Sequence, residues 1–261
     1  MNVLSLFDGM SCGQLALQRA GFEVDRYMAC EIDKYGMQIT RKNFHNTIQM
    51  GDVCDLRGEN LPPIDLMMGG SPCQGFSFAG KQLNFKDPRS ALFFQFVRLL
   101  RETKPKYFLL ENVRMKQEYQ DVISEHLGVK PIMINSDRFV EQNRVRFYWT
   151  NIEIDKLPKR PAWDKQYYQW RRVYFRENKS GVCPTLTANM GTGGHNVPLH
   201  SKDLKDKLTP IECERLQTVP DNYTEGVSNT RRFQMLGNGW TVDVICHVLK
   251  NIRAEFARKA A

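Results

Sequence analysis

No stretch of the 261-residue chain approaches the roughly 18 to 20 consecutive apolar residues that a membrane-crossing helix needs. The first residues also lack the basic, apolar and small-residue order of a signal peptide. A cytoplasmic protein without a membrane partner is therefore expected. The seven cysteines (12, 30, 54, 73, 183, 213 and 246) are odd in number and form no CxxC pair. That argues against a disulfide framework and a structural zinc site, so no metal is expected. Acidic residues are in deficit, 29 Asp and Glu against 37 Lys and Arg, giving a formal charge of +8. Such a surplus suits a polyanionic partner, because Lys and Arg contacts to phosphate dominate nucleic-acid affinity. There is no internal repeat, no low-complexity tract and no GxGxxG dinucleotide fingerprint. What is present, 41% hydrophobic and 11% aromatic residues, is enough to build a core.

Residues 1 to about 150 alternate short apolar runs with helical spacings. Val3–Phe7 ends in a glycine-containing loop; Leu15, Leu17 and Ala20 then follow at helical spacing, with Gly21 as the cap. Further strands are read at Tyr27–Cys30, Ile48–Met50, Leu66–Met68, Tyr107–Leu110, Lys130–Asn135 and Val145–Asn151. A helix is read over Ser90–Thr103, and Val122–Leu127 is read as the end of another. This alternation predicts an α/β fold with a mainly parallel sheet covered on both faces. From about 152 to 205 the periodicity fades, and Trp163, Trp170, Arg171 and Arg172 are followed by the glycines 191, 193 and 194. Thr209–Gln217 then reads as a capped helix with Pro210 in its first turn, and Val242–Arg258 as the final helix. The expected layout is a sheet domain over 1–151, a small insert over 152–230 and a C-terminal segment, 231–261, whose helix returns to the first domain.

In parallel sheets ligands sit beyond the carboxyl ends of the strands. Asp8, Glu31, Asp52, Cys73 and Glu111 each follow an apolar run, so the fold would gather them there. The loop Phe7–Gly13 (FDGMSCG) joins a strand to a helix N-terminus, and its glycines permit close backbone approach. Glu31 is placed to accept ribose hydroxyls and Asp52 an adenine amine; a generic nucleotide site and a methyl-donor site both satisfy this. Cys73 lies in Ser71–Ser77 (SPCQGFS), bounded by proline and glycine, where an apolar filler would have little to fill. Glu111-Asn112-Val113 and Gln142–Arg146 (QNRVR) supply a carboxylate and two arginines. A cysteine, a carboxylate and arginines in one crevice match covalent activation of a pyrimidine ring, the arginines favouring the reactive thiolate. The other cysteines are read as packing. Lys156, Lys159, Arg160 and Lys165 read as a solvated basic face near phosphates.

These segments carry a family resemblance. PCQ at Pro72–Gln74, ENV at Glu111–Val113 and QxRxR at Gln142–Arg146, together with DPRS at Asp87–Ser90, LTPIECERLQTVP at Leu208–Pro220 and LGN at Leu236–Asn238, resemble the DNA (cytosine-5) methyltransferase family over essentially the whole chain. The resemblance implies a Rossmann-like methyltransferase fold with a small target-recognition insert, S-adenosylmethionine as methyl donor and double-stranded DNA as partner. It implies that Cys73 attacks C6 of a flipped cytosine, that Glu111 holds N3 and the exocyclic amine, and that Arg146 contacts O2 with Arg144 nearby. For the donor it places Phe7 and Gly9 at the methionyl portion, Glu31 on the ribose, Ile32 on the adenine face and Asp52 at the adenine edge. Leu92 and Asn238 complete that pocket, with Asp8, Gly13, Val53, Pro72 and Gly239 as further donor contacts. Ser77, Lys81 and Arg89 fall in the stretch that closes over DNA, and Thr185 is a further DNA contact. The last motif reads GNGW (Gly237–Trp240) where GNSV is commoner, which leaves Trp240 without a role from the resemblance. The insert is short, which predicts a brief recognition sequence and a monomer or DNA-induced dimer. A non-catalytic DNA-binding relative would be expected to lose the cysteine or donor motifs. An RNA cytosine methyltransferase remains the other alternative.

Overall fold

A computed structural model describes residues 1–72, 91–193 and 196–260, with side chains described through Ile252. Seven strands form the main sheet in the order β3-β2-β1-β4-β5-β7-β6. These are β1 (Asn2–Leu6), β2 (Arg26–Cys30), β3 (Ile48–Gly51), β4 (Leu66–Gly69), β5 (Tyr107–Val113), β6 (Ile132–Asn135) and β7 (Val145–Thr150). The first five run parallel; β7 pairs antiparallel with both β5 and β6. β1 and β4 are buried almost throughout, as parallel strands covered on both faces must be.

Alternate residues of β1 face different layers. Val3 joins Leu66 and Met68 against helix α7 (Val242–Ala260), which presents Val244, Ile245, Val248, Leu249 and Ile252. Leu4 and Leu6 join Met67 against helix α3 (Ala91–Thr103), through Phe93, Phe96 and Leu99. Each large side chain in these layers is fully buried, a state that contributes about 1.5–3 kcal/mol per residue. Helix α1 (Cys12–Arg19) stops where the sequence predicts: Gly21 adopts φ 75°, its N–H donates to the Gln18 carbonyl and that of Phe22 to the Leu17 carbonyl. Among the described residues no helix is long and apolar enough to cross a membrane.

Two departures from the sequence reading have a clear physical cause. Helix α2 (Lys34–Asn43) was not expected; it buries only Gly36, Ile39 and Thr40, too narrow a stripe to show as periodicity, and it is fixed instead by Asp33, whose carboxylate accepts from Tyr35 N–H and Gly36 N–H. The aperiodic insert contains a three-stranded antiparallel sheet, β8 (Tyr167–Trp170), β9 (Phe175–Asn178) and β10 (Val197–Leu199), whose strands are too short to establish an alternation. Helix α4 (Gln117–Leu127) ends at Leu127, as expected. Helix α5 (Pro210–Leu216) is as expected, with a reciprocal capping box between Thr209 and Glu212. It is tied to the unexpected helix α6 (Asn229–Asn238) by Glu214, a fully buried carboxylate paired with Arg232 at 2.9 Å.

Candidate active site

The strand order reverses between β1 and β4, and a cleft of about 320 Å³ opens beyond their carboxyl ends. At one end lies the loop after β1. Phe7, Gly9 and Ser11 all take positive φ near 60°, so the chain turns sharply and brings its backbone into the cleft wall. Glu31, at the end of β2, holds this turn: Oε2 accepts from Gly9 N–H at 2.7 Å, and Oε1 from Ile32 and Asp33 N–H at 2.8 Å each. A side chain at Gly36 would come within 2.6 Å of the Gly9 carbonyl, whereas Gly9 itself faces open space.

Asp8 was expected to face a ligand, but its carboxylate turns inward. It accepts from Ser5, Ser11 and Tyr27 hydroxyls, and burial pushes its pKa above the ordinary value. Asp8 still counts among the residues that line the cleft. Gly13 is a packing position: a Cβ there would meet Met68 Sδ at 2.7 Å. Val53 is buried in the core beside Leu4 and Leu6, and Leu92 packs at the edge of the same layer. Asp52 accepts from Cys54 N–H, and Ile32, beside Glu31, is 73% exposed. Gly13, Ile32, Asp52, Val53 and Leu92 do not line the cleft, whereas Phe7, Gly9, Glu31, Asn238 and Gly239 do.

The other end is a meeting of side chains. Glu111 on β5 is buried; its Oε1 lies 3.0 Å from Arg146 Nε, and its Oε2 accepts the Trp240 indole N–H at 3.0 Å. Arg146 reaches it because β7 pairs with β5 in a register that sets Arg146 opposite Val113. Asn112 donates to the Ser71 carbonyl and hydroxyl, fixing the segment that ends in Pro72, which also lines the cleft. Cys73, Ser77, Lys81 and Arg89 lie outside the described residues.

Arg144 lines the cleft but is 2% exposed, and its guanidinium donates to the carbonyls of Leu186, Gly237 and Gly239. Desolvation lowers its pKa to about 9. The three bonds to carbonyls make Arg144 part of what holds the wall together. Gln142 and Gln217 extend this buried seam: Gln142 donates to the Leu216 carbonyl, and Gln217 to those of Leu236 and Gly239. The Thr185 hydroxyl donates to the Asn143 carbonyl, and Thr185 stands off the cleft. Trp163 donates to the Asp137 carbonyl and Trp170 packs on Phe175 at 4.9 Å, so both are insert structure.

The sequence reading missed Tyr35, Arg231, Gln234 and Trp240, all of which line the cleft. Arg231 stacks over the Tyr35 ring at 4.5 Å and joins α6 to α2. Neither helix had been read, so neither face could be. Among the described cysteines, burial pushes the thiols of Cys12 and Cys30 up to about 12 and that of Cys246 to about 11, and those of Cys183 and Cys213 also rise. Cys54 is raised by partial burial and by Asp52. Burial thus disfavours the reactive thiolate at the buried positions, whereas Cys54 is exposed.

Known proteins share this arrangement. The sequence profile of the C-5 cytosine-specific DNA methylases matches residues 1–159 and 134–254. Type II methyltransferase M.Bsp6I of Bacillus sp. (strain RFL6) is 33% identical, over 97% of this chain and 98% of its own length. Type II methyltransferase M.NlaX of Neisseria lactamica is 28% identical, over 97% and 96%. The solved structure of the S. pombe Dnmt2 methyltransferase superposes with a TM-score of 0.71 at 16% identity, over 98% of this chain and 99% of that one, and so shares the fold. The chain belongs to the C-5 cytosine-specific DNA methylase family.

Proposed function

We propose that the chain transfers a methyl group from S-adenosylmethionine to carbon 5 of a cytosine turned out of double-stranded DNA, with Cys73 as covalent nucleophile. The observation that carries this reading is the Glu111 carboxylate, fixed through both oxygens at one end of a cleft whose other end is an open, glycine-walled turn. The donor end fits an adenosine-bearing ligand. Gly9 offers backbone that a Cβ would obstruct, Glu31 retains an acceptor site on Oε2 for a ribose hydroxyl, and exposed Ile32 beside it offers an apolar face to a ring. Bound there, S-adenosylmethionine supplies an electrophilic methyl group.

Extruding the cytosine costs a few kcal/mol of unstacking, which contacts to the DNA backbone must offset. The formal charge of +8 supplies the long-range attraction. Residues 152–230 form the DNA-facing part in this reading, with the β8–β9 apex as its leading edge: Arg171 and Arg172 precede Val173 and Tyr174, which are 82% and 54% exposed.

In the pocket Glu111 accepts the exocyclic amine and shares a proton with N3, while Arg146, already on Oε1, is close enough to serve O2. The Cys73 thiolate forms a bond to C6, and the ring electrons displaced from the C5–C6 double bond make C5 a nucleophile. C5 takes the methyl group as the methyl–sulfur bond of the donor breaks, leaving S-adenosylhomocysteine; C5 then gives its proton to a base such as water, the C6–S bond breaks and the thiolate is restored. Bisulfite sequencing of DNA from cells expressing the chain tests the reading. Methylcytosine in one short sequence context is expected; none above background in any context would overturn it, and transfer to transfer RNA alone would move the substrate to RNA.

A further inference from the structure

We propose that Trp240 is a positioning residue for Glu111, and that it ties the turn lining the donor end to the carboxylate that holds the base. The inference rests on the methyl-transfer reading above. Trp240 Nε1 lies 3.0 Å from Glu111 Oε2, on the oxygen that Arg146 leaves free. An indole N–H only donates, so this contact has one polarity and fixes the carboxylate as acceptor. Each Glu111 oxygen has two lone pairs, and with one donor on each, one acceptor site per oxygen remains for the pyrimidine edge.

The backbone on both sides of Trp240 is pinned. The Gly239 carbonyl accepts from Arg144 at 2.7 Å and from Gln217 at 3.1 Å. The Thr241 hydroxyl donates to Gln217 Oε1 at 2.9 Å and sits 2.8 Å from the Ser136 hydroxyl. The indole therefore has a fixed base and aims one donor at one oxygen. Gly70 closes the other side: a Cβ there would lie 2.9 Å from Glu111 Oε2 and 3.0 Å from Trp240 Nε1, so a side chain at 70 would wedge the pair apart. Asn238 and Gly239 line the donor end, within two residues of the indole that holds the base carboxylate.

Two independent variants test the contact. Trp240→Phe keeps a ring in place and removes the donor; Gly70→Ala keeps the donor and intrudes on the pair. Each is expected to lower kcat for methyl transfer by about 10- to 100-fold, the loss typical of a small misplacement of a catalytic group. The melting temperature and the dissociation constant for S-adenosylmethionine stay near those of the wild type. The double variant should lose little more than the worse single one, because both act through one contact. A second readout does not depend on turnover: the Trp240 indole proton resonance, assigned by its absence in Trp240→Phe, should move upfield in Glu111→Gln. An unmoved resonance, an unchanged kcat in either variant, or a kcat loss matched by parallel losses of melting temperature and donor affinity would each overturn the inference. A wild-type chain without methyl transfer defeats the parent reading and this role with it, and the resonance then shows whether the contact itself exists.

Discussion

At the cleft end proposed for the donor, the backbone N–H groups of Gly9, Ile32 and Asp33 gather on the one carboxylate of Glu31, and the Tyr223 hydroxyl donates to the Met10 carbonyl of the same turn. At the end proposed for the base, Trp240 reaches Glu111 across 129 residues, and side chains from β5, β7 and the α6–α7 link converge. One end is a turn held mainly through its backbone, by Glu31 and Tyr223; the other is an assembly of side chains that depends on three elements docking correctly. The donor end should therefore tolerate side-chain changes that leave its turn intact, whereas the base end should fail when any supporting contact is lost.

The sharpest way to separate the two ends is Cys73→Ala. Methyl transfer to duplex DNA should vanish while S-adenosylmethionine binding, read by calorimetry, survives; loss of both would mean that the ends are not separable. Arg144→Met comes next in size. It leaves the carbonyls of Leu186 and Gly237 without their donor and that of Gly239 with Gln217 alone, which should reduce stability by about 2 kcal/mol or more in urea unfolding, given about 1–3 kcal/mol per unsatisfied buried group. A stability loss below about 1 kcal/mol, the worth of a single ordinary hydrogen bond, would show that the wall does not hang on this side chain. A smaller effect is expected from Glu31→Gln, which keeps an acceptor oxygen but loses the charge behind three N–H contacts. Donor affinity should weaken about tenfold, roughly 1.4 kcal/mol, with the loss falling on the dissociation constant and not on kcat at saturating donor. The reverse split would place Glu31 in the chemistry. Of similar size is Gly9→Ala: at φ 60° a Cβ costs about 1–2 kcal/mol, and a protein whose melting temperature and donor affinity are both unaffected would contradict the turn described for Gly9.

The same contrast explains what could be read from sequence. The central strands are apolar runs that end where chemistry begins, so Glu31 and Glu111 stood out as polar residues closing buried segments. The turn at Phe7–Gly13 was visible because it is local, although the inward roles of Asp8 and Gly13 were not: a carboxylate or glycine beside a strand end looks the same whether it meets a ligand or Tyr27 and Met68. Arg144 and Arg146 are two residues apart in one motif, and only the docking of α6 against the insert shows that the first is buried under carbonyls while the second reaches Glu111. Trp240 and Arg231 were beyond reach for a related reason. Their partners, Glu111 and Tyr35, lie in other elements, and α2 and α6 carry too few buried residues to reveal which face they turn to the cleft.

The central claim is a covalent bond between Cys73 and the target base. Duplex DNA carrying 5-fluorocytosine, incubated with the protein and S-adenosylmethionine, blocks proton loss from C5 and should trap that bond. Peptide mass spectrometry is predicted to find the modified nucleotide on Cys73. No trapped complex from an active preparation, or a nucleotide attached to any other residue, would contradict the account.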